Sequence, residues 1–215
     1  MRKDNTYVRI IKPAAGRFLA LIGLLLFWWL YVLIAVAIVI DDPGPVLFKQ
    51  KRVGKKRNGK LTYFYILKFR TMKKSTPKDV PTHLLDHPER YITRVGAFLR
   101  RTSLDEIPQL WNIGIEGNLT WIGPRPALYN QHDLILEREK YGANDVMPGL
   151  TGWAQVNGRD ELSIEDKARL DGVYAADLQK GNLIALRMDI TCVLKTVSAV
   201  VKEDGVQEGS GGKKR

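Results

Sequence analysis

The chain has 215 residues, a single cysteine and a formal charge of +11. One cysteine excludes an intrachain disulfide and a cysteine-based zinc site, and the length leaves room for one ordinary globular domain beside a membrane segment. The basic excess asks for an anionic partner, for which a membrane surface, a phosphorylated substrate and nucleic acid all qualify.

The first predicted element is an apolar helix. From Phe18 to Ile40 only Tyr31 carries an ionisable group, and as a helix the run reaches roughly 34 Å, about the hydrocarbon thickness of a bilayer. Arg2, Lys3, Arg9, Lys12 and Arg17 precede it, and Lys49, Lys51, Arg52, Lys55, Lys56 and Arg57 follow it. The cytoplasmic preference of Lys and Arg therefore sets no direction of crossing. A simple span would carry one basic cluster across; a re-entrant segment keeps both inside. A signal peptide fits poorly, because the apolar core is long and Asp41-Asp42-Pro43-Gly44-Pro45 lacks the small-residue cleavage pattern. The remaining alternative is a buried soluble helix, but Phe27-Trp28-Trp29-Leu30-Tyr31 is apolar all round and the chain has little core to wrap it.

Val46 to Val53 and Leu61 to Arg70 are short apolar or alternating runs around a strong Asn58-Gly59 turn signal, which predicts a β-hairpin. It is basic: between Pro43 and Lys78 there is no Asp or Glu. Tyr63, Phe64, Tyr65 and Phe69 interleave with this charge as stacking platforms for nucleic acid do. A strand with one apolar face accounts for them equally, and nucleic acid is not expected as a partner. Ser75 to Pro88 reads as a loop. His83 and His87 are four apart but lack a third ligand for a metal.

From Tyr91 the pattern is mainly helical. Ser103-Leu104-Asp105-Glu106 has the form of a capping box opening a helix, and Ser163-Ile164-Glu165-Asp166 marks another helix start. Pro and Gly at 123–126 and 148–152 predict rigid loops. Leu186, Ile190, Val193, Leu194, Val197, Val200 and Val201 recur at helical spacing, so the last helix lies on the core or on the membrane interface. The end, residues 208–215, reads as a disordered tail.

Asp105 and Glu106 are the first residues able to carry chemistry. A cap and a favourable dipole charge explain them structurally. The same placement holds an ionised carboxylate beside phosphate-binding N–H groups; such an Asp can attack phosphorus, and its neighbour can hold Mg²⁺. In Gly123-Pro124-Arg125-Pro126 a stiff backbone presents one guanidinium, suited to a phosphate. Arg159 is a second such group, and Lys68 and Arg70 share a strand face.

These pieces resemble a known family. Asp42-Pro43-Gly44-Pro45-Val46, Lys68-Phe69-Arg70-Thr71-Met72, Arg100-Arg101-Thr102-Ser103-Leu104-Asp105-Glu106-Ile107-Pro108-Gln109-Leu110, Gly123-Pro124-Arg125-Pro126 and the segment Pro148-Gly149-Leu150-Thr151-Gly152-Trp153-Ala154-Gln155-Val156-Asn157-Gly158-Arg159 stand in the order found in the bacterial sugar transferase family of monotopic phosphoglycosyl transferases. The resemblance covers about residue 12 to 207. It implies an α+β, mainly helical fold with a membrane-inserted, re-entrant N-terminal helix over residues 1–45. A cytoplasmic catalytic domain with interfacial amphipathic helices follows over 46–207, on the inner membrane of a bacterium. It implies transfer of a sugar-1-phosphate from a UDP-sugar to undecaprenyl phosphate, releasing UMP, in exopolysaccharide, capsule or glycoprotein glycan synthesis. Asp105 matches the family nucleophile, Glu106 the residue that assists and contacts Mg²⁺, and Lys68, Arg125 and Asp189 further family positions. Arg70 and Arg159 are carried along as phosphate ligands. Homo-oligomerisation and the identity of the sugar stay open. The chain departs from the family pattern at Trp28-Trp29, where Ser-Pro is usual, at Asn118 for Asp and at Met147 for Arg. These last two changes leave open a weakly active or inactive membrane partner of glycan enzymes.

Overall fold

A computed structural model describes residues 5–76, 87–158 and 161–201. A turn of π-helix at Tyr7–Ile11 leads into α1, Lys12–Asp41. The sequence makes this helix long because nothing interrupts it: Pro13 sits in the first turn, where a missing N–H costs nothing, and no other proline follows until Pro43. It passes through Trp28-Trp29 without a break. Tyr7–Asp41 is the one helix among the described residues long and apolar enough to cross a membrane.

One stripe of α1 packs against the rest of the chain along its whole length. Gly16 meets Trp121, whose indole Nε1 donates to the Gly16 carbonyl at 2.8 Å. Ala20 meets Gly114, Gly23 meets Leu110, and the Tyr31 hydroxyl donates to the Ile107 carbonyl at 2.7 Å. Ile34 and Ile38 join Phe69 and Leu99 in a buried cluster. Small residues at the close contacts let the helix approach; the opposite face, including Phe18, Leu25, Trp28, Leu33 and Val36, is exposed. The helix ends are anchored too. Lys12 pairs with Asp189 at 2.8 Å, Asp41 accepts from the Val95 N–H at 2.8 Å, and Asp42 pairs with Arg70.

The predicted hairpin is present. Strands β1 (Leu47–Val53) and β2 (Tyr63–Phe69) are antiparallel, with Leu47 opposite Phe69 and Val53 opposite Tyr63. Asn58 and Gly59 both take positive φ (50° and 74°), as a tight hairpin turn with right-handed strands requires. Phe64 and Ile66 enter a core with Ala20, Leu110, Ile113 and Leu119. That packing, with Phe69 in the cluster of Ile34, Ile38 and Leu99, accounts for the two phenylalanines, while Tyr63 and Tyr65 are exposed on the other face.

The expected capping box is absent. Helix α2 (Arg94–Arg101) ends in a left-handed Ser103, φ 55°, whose side chain caps nothing. Leu104–Glu106 is a single 3₁₀ turn, followed by a short α3 (Gln109–Trp111) and a π-turn at Asn112–Glu116. Glu106 does not reach back to Ser103 because stronger cationic partners claim its carboxylate. A helical run does open at Leu104 as expected, but without the capping-box hydrogen bonds.

Two further strands went unpredicted. β3 (Thr120–Ile122) runs into the first of the rigid loops and β4 (Gly149–Thr151) lies within the second, the two paired in parallel. Three residues each are too short for a period to register. The Gly123 N–H donates to the Thr151 carbonyl at 2.8 Å and the Gly149 N–H to the Pro124 carbonyl at 3.0 Å. A Cβ on Gly149 would stand 2.1 Å from the Gly123 nitrogen, and one on Gly152 2.1 Å from the Gly123 oxygen. These glycines are what let the two backbones touch.

Helices α4 (His132–Lys140) and α5 (Ile164–Gln179) are joined by a buried ion pair between Arg138 and Asp171, with the guanidinium Nε 2.9 Å from Oδ2. Ser163 caps α5 as expected, accepting from the Asp166 N–H at 3.0 Å. In α6 (Asn182–Val201) the inward face is Ala185, Met188, Asp189 and Cys192. The periodic stripe of Leu186, Ile190, Val193, Leu194 and Val197 points outward instead. Spacing alone marks a stripe, not the side that meets the core. The C-terminal tail and His83 lie outside the described residues.

Candidate active site

Three backbone segments converge on the Asp105-Glu106 turn. Strand β2 supplies Lys68 from the hairpin. The outer edge of β1 carries the stretch that follows Arg125: the Val53 N–H donates to the Ala127 carbonyl at 2.9 Å. The β3–β4 pair holds the other side of the Gly123-Pro124-Arg125-Pro126 loop. Arg125 is thus fixed from both flanks.

Lys68 Nζ lies 2.7 Å from Glu106 Oε1 and 3.4 Å from Asp105 Oδ2. Arg125 Nη2 lies 2.7 Å from the same Glu106 oxygen, and its Nη1 donates to the Leu150 carbonyl at 3.4 Å. Asp105 is 7% exposed, whereas the Arg125 side chain is 37% exposed; the nucleophile candidate sits at the bottom and the guanidinium at the mouth.

The two carboxylates have opposite tendencies. Burial raises the Asp105 carboxyl above its ordinary value; Lys68 opposes this and the Glu106 charge adds to it. Burial also works against an ionised Glu106, but Arg125 and Lys68 outweigh it and hold that carboxyl well below the usual carboxylate range. Adjacent carboxyls pushed apart in this way suit different roles, one a poised base or nucleophile and the other a permanent anion.

Sequence reasoning missed Arg52. Its Nη1 donates to the Pro126 carbonyl at 3.0 Å and its Nη2 to Gln50 Oε1 at 2.5 Å. Burial, then the like charge of Arg125, pushes its guanidinium down to about 9, with Glu106 opposing. A signal was available. In the hairpin register Gln50 opposes Ile66, Arg52 opposes Phe64 and Phe48 opposes Lys68, so Arg52 shares a face with Lys68.

The other expected ligands are placed elsewhere or lie out of view. Arg70 turns to the end of α1: its guanidinium pairs with the Asp42 carboxylate and its Nε donates to the Pro45 carbonyl at 2.6 Å. Lys68 and Arg70 therefore serve different targets. Asp189 lies in a buried cluster with the Tyr7 hydroxyl at 2.7 Å, the Tyr174 hydroxyl at 2.7 Å and Lys12. Burial and the Asp189 charge push the Tyr174 phenol well above its ordinary value, so it remains a donor. Asn118 donates to Glu116 at 2.5 Å. Arg159 lies outside the described residues. No group of three or more His, Cys, Asp or Glu converges among the described residues.

The motifs agree with the comparisons. A profile of the family described as bacterial sugar transferase matches residues 7–203. The chain belongs to the bacterial sugar transferase family. It is similar to the UDP-glucose:undecaprenyl-phosphate glucose-1-phosphate transferase of Escherichia coli, 40% identical over 192 residues, covering 88% of this chain and 40% of that protein. It is similar to the transferase of the same name from Xanthomonas campestris, 40% identical over 158 residues, covering 73% of this chain and 31% of that one. The chain thus spans less than half the length of these two relatives. It matches more of the sugar transferase EpsL of Bacillus subtilis, at 36% identity over 178 residues, 82% of this chain and 81% of the relative.

Proposed function

We propose that this bacterial sugar transferase moves a sugar-1-phosphate from a UDP-sugar to undecaprenyl phosphate and releases UMP, at the start of an exopolysaccharide or capsule pathway. The observation that carries this is the buried Asp105 beside Glu106, with Lys68 touching both carboxylates and Arg125 touching the second. Relatives named as glucose-1-phosphate transferases and as a UDP-galactose-lipid carrier transferase support the substrate class.

In this reading an Asp105 oxygen attacks the β-phosphorus of the UDP-sugar. A bond forms between that oxygen and phosphorus, the bond from phosphorus to the bridging oxygen breaks, and UMP leaves with the electron pair. An oxygen of the lipid phosphate then attacks the same phosphorus, and Asp105 departs as the carboxylate. Lys68 keeps Asp105 ionised against its burial, and Arg125 and Lys68 stand where charge builds on the phosphoryl oxygens. Glu106 stays ionised throughout and fixes both cations in place.

Mg²⁺ fits the donor set. Two adjacent carboxylates, Asp105 and Glu106, are hard oxygen ligands, and such a site binds Mg²⁺ when substrate phosphates complete the shell. Glu106 would hold the ion, which when bound neutralises diphosphate charge.

The membrane geometry follows from α1. Both of its ends are bonded to the same folded body, Lys12 through Asp189 and Asp42 through Arg70. A body on one side of a bilayer cannot hold both ends of a spanning helix of about 45 Å. This supports a one-sided insertion, with both basic flanks on the cytoplasmic face and the exposed apolar face of α1 in lipid.

Incubating the protein with UDP-sugars and no lipid tests the mechanism. UMP should appear in one equivalent, with a sugar-phosphate adduct on Asp105, and Asp105→Asn should abolish both. UMP that appears only when lipid phosphate is added, with no adduct under any UDP-sugar that supports turnover, would sink the covalent route.

A further inference from the structure

Arg52 stands where the two cation-bearing segments of the site meet. Its strand, β1, pairs on one edge with β2, which carries Lys68. On the other edge β1 receives the segment that follows Arg125. Arg52 and Leu128 form an antiparallel bridge there, and the Val53 N–H donates to the Ala127 carbonyl at 2.9 Å. The Arg52 side chain extends the same contact, with Nη1 donating to the Pro126 carbonyl at 3.0 Å. Proline has no N–H, so that carbonyl is the one backbone hydrogen-bonding group of Pro126. Arg52 therefore holds the residue next to Arg125 by its only backbone handle.

We propose that Arg52 is a positioning residue for Arg125, holding its loop on the Lys68 hairpin and its guanidinium toward Glu106 and the diphosphate of the substrate. The inference rests on the transferase reading above and adds the support behind its phosphate grip. Two observations carry it. The first is the clamp itself. The entry of the Arg125 loop is held by backbone bonds, from the Gly123 N–H to the Thr151 carbonyl and from the Gly149 N–H to the Pro124 carbonyl. The exit is held by a long side chain, and that side chain is oriented in turn: Arg52 Nη2 donates to Gln50 Oε1 at 2.5 Å.

The second observation is charge. Both Nη bonds of Arg52 go to neutral oxygens, so its charge is left to act on its surroundings. It is close enough to be repelled by Arg125 and attracted by Glu106. A like charge at the root of the loop disfavours Arg125 rotamers that fold back over Pro126. It leaves favoured the one that meets Glu106 at 2.7 Å. Arg52 acts through Arg125, so its removal should matter only while the Arg125 guanidinium is present.

The test is a double-mutant cycle on the full chain in detergent, with UDP and Mg²⁺ as the probe. Asp105→Asn is the background, because it removes the nucleophile of the proposed reaction. Arg52→Met should weaken the calorimetric Kd for UDP about tenfold, the size of a lost charge-assisted hydrogen bond. Arg125→Ala should weaken it at least as much, and the double variant should bind within about twofold of Arg125→Ala alone. Losses that multiply would mean that Arg52 acts on the ligand or the fold independently of Arg125, and would overturn the proposal. So would an Arg52→Met protein that binds within about twofold of its parent. Arg52→Lys keeps the charge and one donor; it should lose only about threefold, and that loss should also vanish beside Arg125→Ala. It carries the cycle if Arg52→Met fails to fold. Without the Asp105 change, kcat/KM for UMP release should follow the same pattern. A wild-type protein that binds UDP but releases no UMP from any UDP-sugar would count against the transferase reading instead, and the binding cycle would still decide the role of Arg52.

Discussion

Asp189 matches a family position expected to bind substrate, its contacts tie it to the start of α1, and Asp189→Asn separates the two roles. The carboxylate accepts from the Tyr7 hydroxyl at 2.7 Å and pairs with Lys12 at 2.8 Å. Side-chain exposure is 11% for Lys12 and 4% for Asp189, so solvent screens the pair little. Removing one partner of such a pair costs roughly 3–5 kcal/mol, because the other charge stays buried without compensation. In a domain of this size each kcal/mol moves Tm by roughly 2–4 °C. Asp189→Asn should therefore lower the unfolding temperature on the order of 10 °C, measured by scanning fluorimetry in detergent. Adding Lys12→Met removes the stranded charge and should recover part of that loss. Well below the transition, the single variant should release UMP from UDP-sugar with kcat/KM near wild type. A Tm within about 2 °C of wild type, together with a large loss of kcat/KM, would refute the anchoring argument and restore Asp189 to the substrate.

Two further outcomes follow from the site. Arg125→Lys keeps the charge but loses the fork that meets Glu106 and the Leu150 carbonyl at once; kcat/KM should fall about tenfold or more, the size of a lost charge-assisted hydrogen bond, and unchanged kinetics would make Arg125 structural. In the proposed mechanism the nucleophile is the ionised form of Asp105, whose carboxyl is raised by burial and held back by Lys68. UMP release should thus fall away with acid at a higher pH than for a surface aspartate. Lys68→Met should move that acid limb higher still, because the opposing charge is gone; a limb that stays put or moves down would contradict the assigned electrostatics.

Much of this protein was legible before any coordinates. The long helix, the hairpin with its Asn58-Gly59 turn and the Ser163 cap are local devices. Each depends on the period, turn chemistry or capping of a few consecutive residues, and each formed as expected. The acidic pair and Arg125 were legible because their residue types and rigid flanks announce charge chemistry, and the family motifs reinforced them. The Ser103 pattern misled for a related reason. A short motif reports that a helix start is favourable, but the competition for Glu106 between Ser103 and two distant cations is settled only when Lys68 arrives from β2 and Arg125 from its loop. Arg52 and Arg70 show the same limit, since basic residues in one hairpin differ only in what the folded chain sets against them. Residue order was therefore enough to determine a long apolar helix, a basic hairpin and an acidic pair. The tertiary structure alone decided which cations meet the carboxylates, which face of α6 turns inward and that both ends of α1 bind one body, because each depends on contacts between residues tens to hundreds of positions apart.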